Sequence, residues 1–93
     1  MSLEPVAAQV SPLQFPCVFP IKIMGRTQPG FAQEILAVVQ RHAPDFDAST
    51  LEMRASSAGN YLSLTATINA TSREQLDELY RALCANPMVT MVL

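Results

Sequence analysis

Apolar and polar residues alternate from Phe19 to Met24. Phe19, Ile21 and Ile23 fall on one side of an extended chain, and Pro20, Lys22 and Met24 on the other. The β-branched content predicts a strand there. Pro20 has no N–H to donate, so it is expected at the strand's start or at a bulge. The period then changes. Phe31, Ile35, Val38, Val39 and His42 recur at the spacing of one helical stripe, which predicts a helix over 29–42, closed by Pro44 and Asp45. Phe46 in the following loop is expected to tuck inward. Leu51, Met53 and Ala55 alternate with Glu52 and Arg54, which predicts a second strand with one buried face and one wet face. Ser56 to Asn60 is turn chemistry. From Tyr61 to Asn69 the alternation resumes, with Leu62, Leu64, Ala66 and Ile68 inward and Ser63, Thr65 and Thr67 outward. Thr71 and Glu74 form a capping-box pattern that opens a second helix over 72–85, striped by Leu76, Leu79, Tyr80 and Leu83. Asn86-Pro87 ends that helix, and 88–93 forms the last strand.

The order βαββαβ predicts an α+β, ferredoxin-like sandwich. It has a four-stranded antiparallel sheet in the order 4-1-3-2, with two helices on one face and strand one central. Residues 1–14 hold few anchors and are expected to be a flexible N-terminal segment; 15–93 form a single domain. The topology brings three connections to one end: 25–30, 56–60 and 85–87. It places Cys17 and Cys84 at opposite ends, beyond the roughly 7 Å between Cα atoms that a disulfide spans, so two free thiols are expected.

A chain of 93 residues that is 49% hydrophobic has the size and content for one core and is unlike a disordered chain. The net charge is −2, and the six Lys and Arg are scattered, so nucleic acid is not an expected partner. No apolar run is long enough to span a bilayer and no leader pattern opens the chain, so the expected location is cytoplasmic, away from membranes. A single His and two distant Cys argue against a metal site. Asp45 and Asp47 sit in a loop far from Gly25, and no nucleophile–base pair is visible, so no catalytic residue, enzyme activity or cofactor is expected.

The stretch with candidate chemistry is 25–30. Gly25 stops the first strand, Thr27-Gln28-Pro29 signals a helix start, and Gly30 allows close backbone approach. A small metabolite or anion is expected there, held by Gly25, Arg26, Gln28 and Gly30, with Gly59 and Asn60 from the facing hairpin. The alternative is a protein–protein adaptor. It would act through the open sheet face, where Lys22, Met24, Arg54, Ser63, Thr65, Thr67 and Thr90 or its neighbours would meet a partner protein or a second copy in a homodimer.

Several segments carry a family likeness: Phe15-Pro16, Lys22-Ile23-Met24-Gly25, Val38-Val39-Gln40-Arg41-His42-Ala43-Pro44, Ser56-Ser57, Gly59-Asn60-Tyr61, Ile68-Asn69-Ala70-Thr71 and Met91-Val92-Leu93. Through them the chain resembles the YbeD-like family of small bacterial proteins, which have no established activity and often carry a label of lipoate regulation. The resemblance implies an ACT-like regulatory domain. ACT domains bind amino acids at the loop after strand one, often through a Pro-Gly pair, which Pro29-Gly30 matches. The acidic residue common two positions earlier is absent here, and a lysine common in the family is replaced by Ala58.

Overall fold

Strand β1 (Cys17–Arg26) runs through the centre of the sheet because both of its flanks find partners. The computed structural model describes residues 14–93. β1 pairs antiparallel with β3 (Tyr61–Ala70) along its whole length, from Cys17 opposite Ala70 to Arg26 opposite Tyr61. On its other flank lies β4 (Val89–Val92), and β2 (Glu52–Ala55) lies outside β3. The order β2-β3-β1-β4 is the expected 4-1-3-2 seen from the other edge. The segment expected to be flexible lies, apart from residue 14, outside the described residues.

Helices α1 (Phe31–His42) and α2 (Arg73–Ala85) cover one face. Ile21 and Ile23 from β1 and Leu64, Ala66 and Ile68 from β3 meet Phe31, Ile35, Val38 and Val39 from α1 and Leu76, Leu79 and Leu83 from α2, all buried. Burial of each such side chain contributes about 1.5–3 kcal/mol. Phe46 and Ala43 close the core under the end of α1. Cys17 is half-buried and Cys84 exposed, both as free thiols. Among the described residues no helix is long and apolar enough to cross a membrane.

The structure departs from the sequence reading in five places. The β2 strand has no buried face: all four residues are exposed, Met53 by 61%. Met53 and Ala55 have the alternation of a half-buried strand, but β2 is an edge strand and carries its inward residues past the cover of the helices. Only Leu51, just before it, packs on the core. Pro20 sits inside β1, opposite Thr67, at neither its start nor a bulge. Lys22 exchanges both backbone hydrogen bonds with Leu93 on the β4 side. Pro20, two residues earlier, directs its missing N–H to that same side, below the end of β4, where no ladder partner is lost.

Helix α1 starts at Phe31, two residues later than expected, because Gly30 takes a left-handed conformation (φ 81°) as its N-cap. His42 is only half-buried, and Ala43 takes the buried place at that end. The N-cap of α2 is Ser72. Its Oγ accepts from the Gln75 backbone N–H at 3.0 Å, while Gln75 Oε1 accepts from the Thr71 N–H. The Thr71/Glu74 box is therefore displaced by one residue to Ser72/Gln75, and the return bond skips back to Thr71. The Gln75 amide also donates to the His42 carbonyl at 2.8 Å, clasping the end of α1 to the start of α2.

Candidate functional site

Two connections meet at the upper end of the sheet because β1 and β3 stay paired to their last residues. Arg26 ends β1 opposite Tyr61, the first residue of β3, and both project from the face away from the helices. The Arg26 guanidinium lies over the Tyr61 ring, 5.7 Å from its centroid, a cation–π arrangement. The next residue, Thr27, donates its N–H to the Asn60 carbonyl at 2.9 Å. The β1–α1 loop is thus clipped to the β2–β3 hairpin, as the topology predicted.

The six candidate residues divide. Arg26, Gln28 and Asn60 come together: the Gln28 amide donates to the Arg26 carbonyl at 3.4 Å, and Asn60 holds Thr27. Gly25 faces inward. A Cβ there would lie 2.6 Å from the Phe31 ring and collide with the Met88 carbonyl, so this glycine admits α1 and the β4 approach to the strand rather than a ligand. Gly30 and Gly59 are exposed, with open space where a Cβ would stand and φ of 81° and 78°. Both are required by backbone conformation. Gly59 belongs to the hairpin turn, where its N–H reaches the Ser56 carbonyl and the Ser56 Oγ accepts from Tyr61 N–H. No side chain caps α1 at Gly30. Asn86, from the third connection, donates to the Glu34 carboxylate at 3.0 Å and accepts from Met88 N–H, which fixes the α2–β4 turn against the first turn of α1.

A groove of about 340 Å³ opens beside this junction, on the open face of the sheet. Met24, Arg54, Tyr61, Ser63, Thr90 and Met91 line it. The β1–β4 register shifts between Met24 and Gly25, and Thr90 Oγ1 donates to the Met24 carbonyl at 3.0 Å across that irregularity. A second groove of about 220 Å³ adjoins it, lined by Lys22, Glu52, Met53, Arg54, Ser63 and Thr65. The sequence reading placed Met24, Arg54 and Ser63 on the open face, but it gave Tyr61 no place there and missed the groove. Its only signal was register: opposite positions of an antiparallel pair share a face, which stacks Met91, Met24, Ser63 and Arg54 in one row across the sheet.

Among the described residues two ionisable groups are shifted, and neither lines these two grooves. Hydrogen bonds from the Ser49 hydroxyl and backbone N–H hold the Asp47 carboxyl below its ordinary value. Burial pushes the Tyr80 phenol up, and the neighbouring Cys84 adds to that. Among the described residues no group of three His, Cys, Asp or Glu side chains is placed to hold a metal ion.

A family model described as "Protein of unknown function (DUF493)" matches residues 11–93. The chain belongs to that family. Its relatives include a UPF0250 protein of Nitrosomonas europaea, 62% identical over 81 residues, covering 87% of this chain and 93% of that one. A UPF0250 protein of Bordetella pertussis is 52% identical over 88 residues, covering 95% and 97%. These are the YbeD-like proteins to which the sequence resemblance points. Among solved structures, the ACT domain from GTP pyrophosphokinase of Chlorobium tepidum is similar with a TM-score of 0.65 and 19% identity, covering 83% of each chain. Protein HP0495 from H. pylori matches with a TM-score of 0.69 and 12% identity, covering 90% and 92%. At such identities the likeness is one of fold, and that fold is ACT-like.

Proposed function

We propose that this protein is a non-catalytic, cytoplasmic regulatory domain, and that residues 15–93 sense a small anionic metabolite where the β1–α1 loop meets the β2–β3 hairpin. The observation that carries this reading is the position of Arg26, held over the ring of Tyr61, a residue that lines the 340 Å³ groove. A cation fixed beside a concave, largely apolar surface suits a ligand with one charged end. Gln28 and Asn60 lie in the two connections beside Arg26, and Gly30 and Gly59 shape the turns that carry them. The ACT-like fold supports a regulatory role by analogy only.

A thermal-melt screen against amino acids, lipoate, octanoate, nucleotides and phosphate tests it, and includes the lipoate label that the family resemblance brings. A ligand at 100 times its dissociation constant adds about 2.7 kcal/mol. For a domain of this size that raises the midpoint by roughly 10 °C or more. Arg26→Ala is expected to abolish the shift while leaving the unliganded midpoint within a few degrees. A flat screen would sink the sensor reading.

The exposure of Met91 and Leu93, 50% and 60%, favours a second reading in which the open face is a protein–protein adaptor. Thr65→Asp, at the middle of that face, is then expected to weaken a complex isolated from lysate.

A further inference from the structure

We propose that the open sheet face docks an acidic protein segment bearing an apolar anchor. The inference rests on the adaptor reading and names the chemistry of the partner. Side-chain charge is divided unequally between the two sides of the molecule. The open face carries Lys22, Arg26 and Arg54, all exposed, with Glu52 as its one acidic side chain among the described residues. The helices and the loop after α1 carry the exposed acids Glu34, Asp45, Asp47, Glu74, Asp77 and Glu78 against Arg41, Arg73 and Arg81. A protein that is acidic in total thus presents a basic face.

That face is also the apolar one. Met91 and Leu93 stand in neighbouring rows beside Met24 and Lys22, and Tyr61 is 44% exposed beneath Arg26. The two grooves adjoin, sharing Arg54 and Ser63. The larger, beside Met24, Tyr61 and Met91, has room for a large apolar side chain. The smaller places Lys22 and Arg54 where carboxylates of the same segment would lie. Such a pattern steers an acidic partner and repels a basic one. A second copy of this chain is disfavoured on the same face, because a two-fold contact would set each copy's three cations against the other's. A nucleic acid would find the cations, but Glu52 and the apolar row would leave its phosphates poorly matched.

Random peptides displayed on phage, selected on the intact protein, test the proposal. The expected pool is rich in clustered Asp and Glu around one aromatic or aliphatic residue. A synthetic peptide from it should shift the amide resonances of Lys22, Met24, Arg54 and Tyr61, and weaken as salt rises. Lys22→Glu with Arg54→Glu should reduce its affinity by about tenfold or more, judged on a variant with an unchanged circular dichroism spectrum. Should that variant not fold, Lys22→Gln with Arg54→Gln is measured instead, with the loss and the salt slope both reduced. Peptides that bind the face but are neutral or basic would overturn the proposal and leave the adaptor reading standing. No enrichment at all would overturn both. A short uridine oligonucleotide that binds the face more tightly than any selected peptide, or a dimer removed by the charge reversal, would also overturn it.

Discussion

The three glycines of this chain look alike in one dimension and do different work in three. Gly25 is a packing residue: the Phe31 ring and the Met88 carbonyl occupy the space of its missing side chain. Gly25→Ala is therefore expected to destabilise the fold by about 1–3 kcal/mol through overpacking, measured by urea denaturation. Gly30 meets nothing, and its role is the positive φ that starts α1. Sequence reasoning marked both as ligand glycines, since neither space nor φ can be read from a letter. Asp47 is the titratable group for which pH dependence follows from geometry. Its folded pKa lies below the ordinary 3.8, so its hydrogen bonds to Ser49 are present above that value and are lost as pH falls through the lower folded one. In an NMR titration the Ser49 amide resonance should stay fixed near neutrality and move only in acid below that ordinary value. Movement centred above it would contradict the assignment.

At the scale of elements, strand and helix periods were legible wherever a helix layer covers the sheet. β3 alternates as read, and both helical stripes fall in the core, apart from half-buried His42 and Tyr80. β2 failed because alternation reports which side a residue faces, not whether anything covers that side. Pro20 failed for a related reason. Whether a strand can spare an N–H depends on how far its neighbour extends, and β4 stops short of it. The start of α2 was legible in kind and off by one residue, since Thr71-Ser72 offers two hydroxyls and tertiary placement selects the second. Ser72→Ala is expected to cost about 1 kcal/mol, read from the unfolding midpoint. Thr71→Ala keeps the Gln75 bond to its backbone N–H and should cost less.

For the whole molecule, one core serves both helices and the three strands that contact them. Leu83 is fully buried near the end of α2. Leu83→Ala is expected to cost about 2–5 kcal/mol and to shift unfolding of sheet and helices together. Separate transitions for helix and sheet signals would count against a single cooperative unit. The candidate site also belongs to this scale. Arg26 and Tyr61 are far apart in sequence and meet because β1 and β3 pair to their ends. The charge division between the two faces arises the same way, from strand register and helix placement rather than from any local run of charge.

The linear pattern by itself determined the order of elements, the inward faces of β1 and β3, the helical stripes and the convergence of three connections at one end. Those follow from side-chain period and from the few ways in which βαββαβ can bury its apolar faces. Only the tertiary structure decided which residues at that end face solvent and which strands go uncovered. It also decided that a groove opens beside Tyr61 and that Arg26 joins Lys22 and Arg54 on the open face. Each of these depends on what lies opposite a residue in space, and the chain acquires those neighbours only when the sheet has formed.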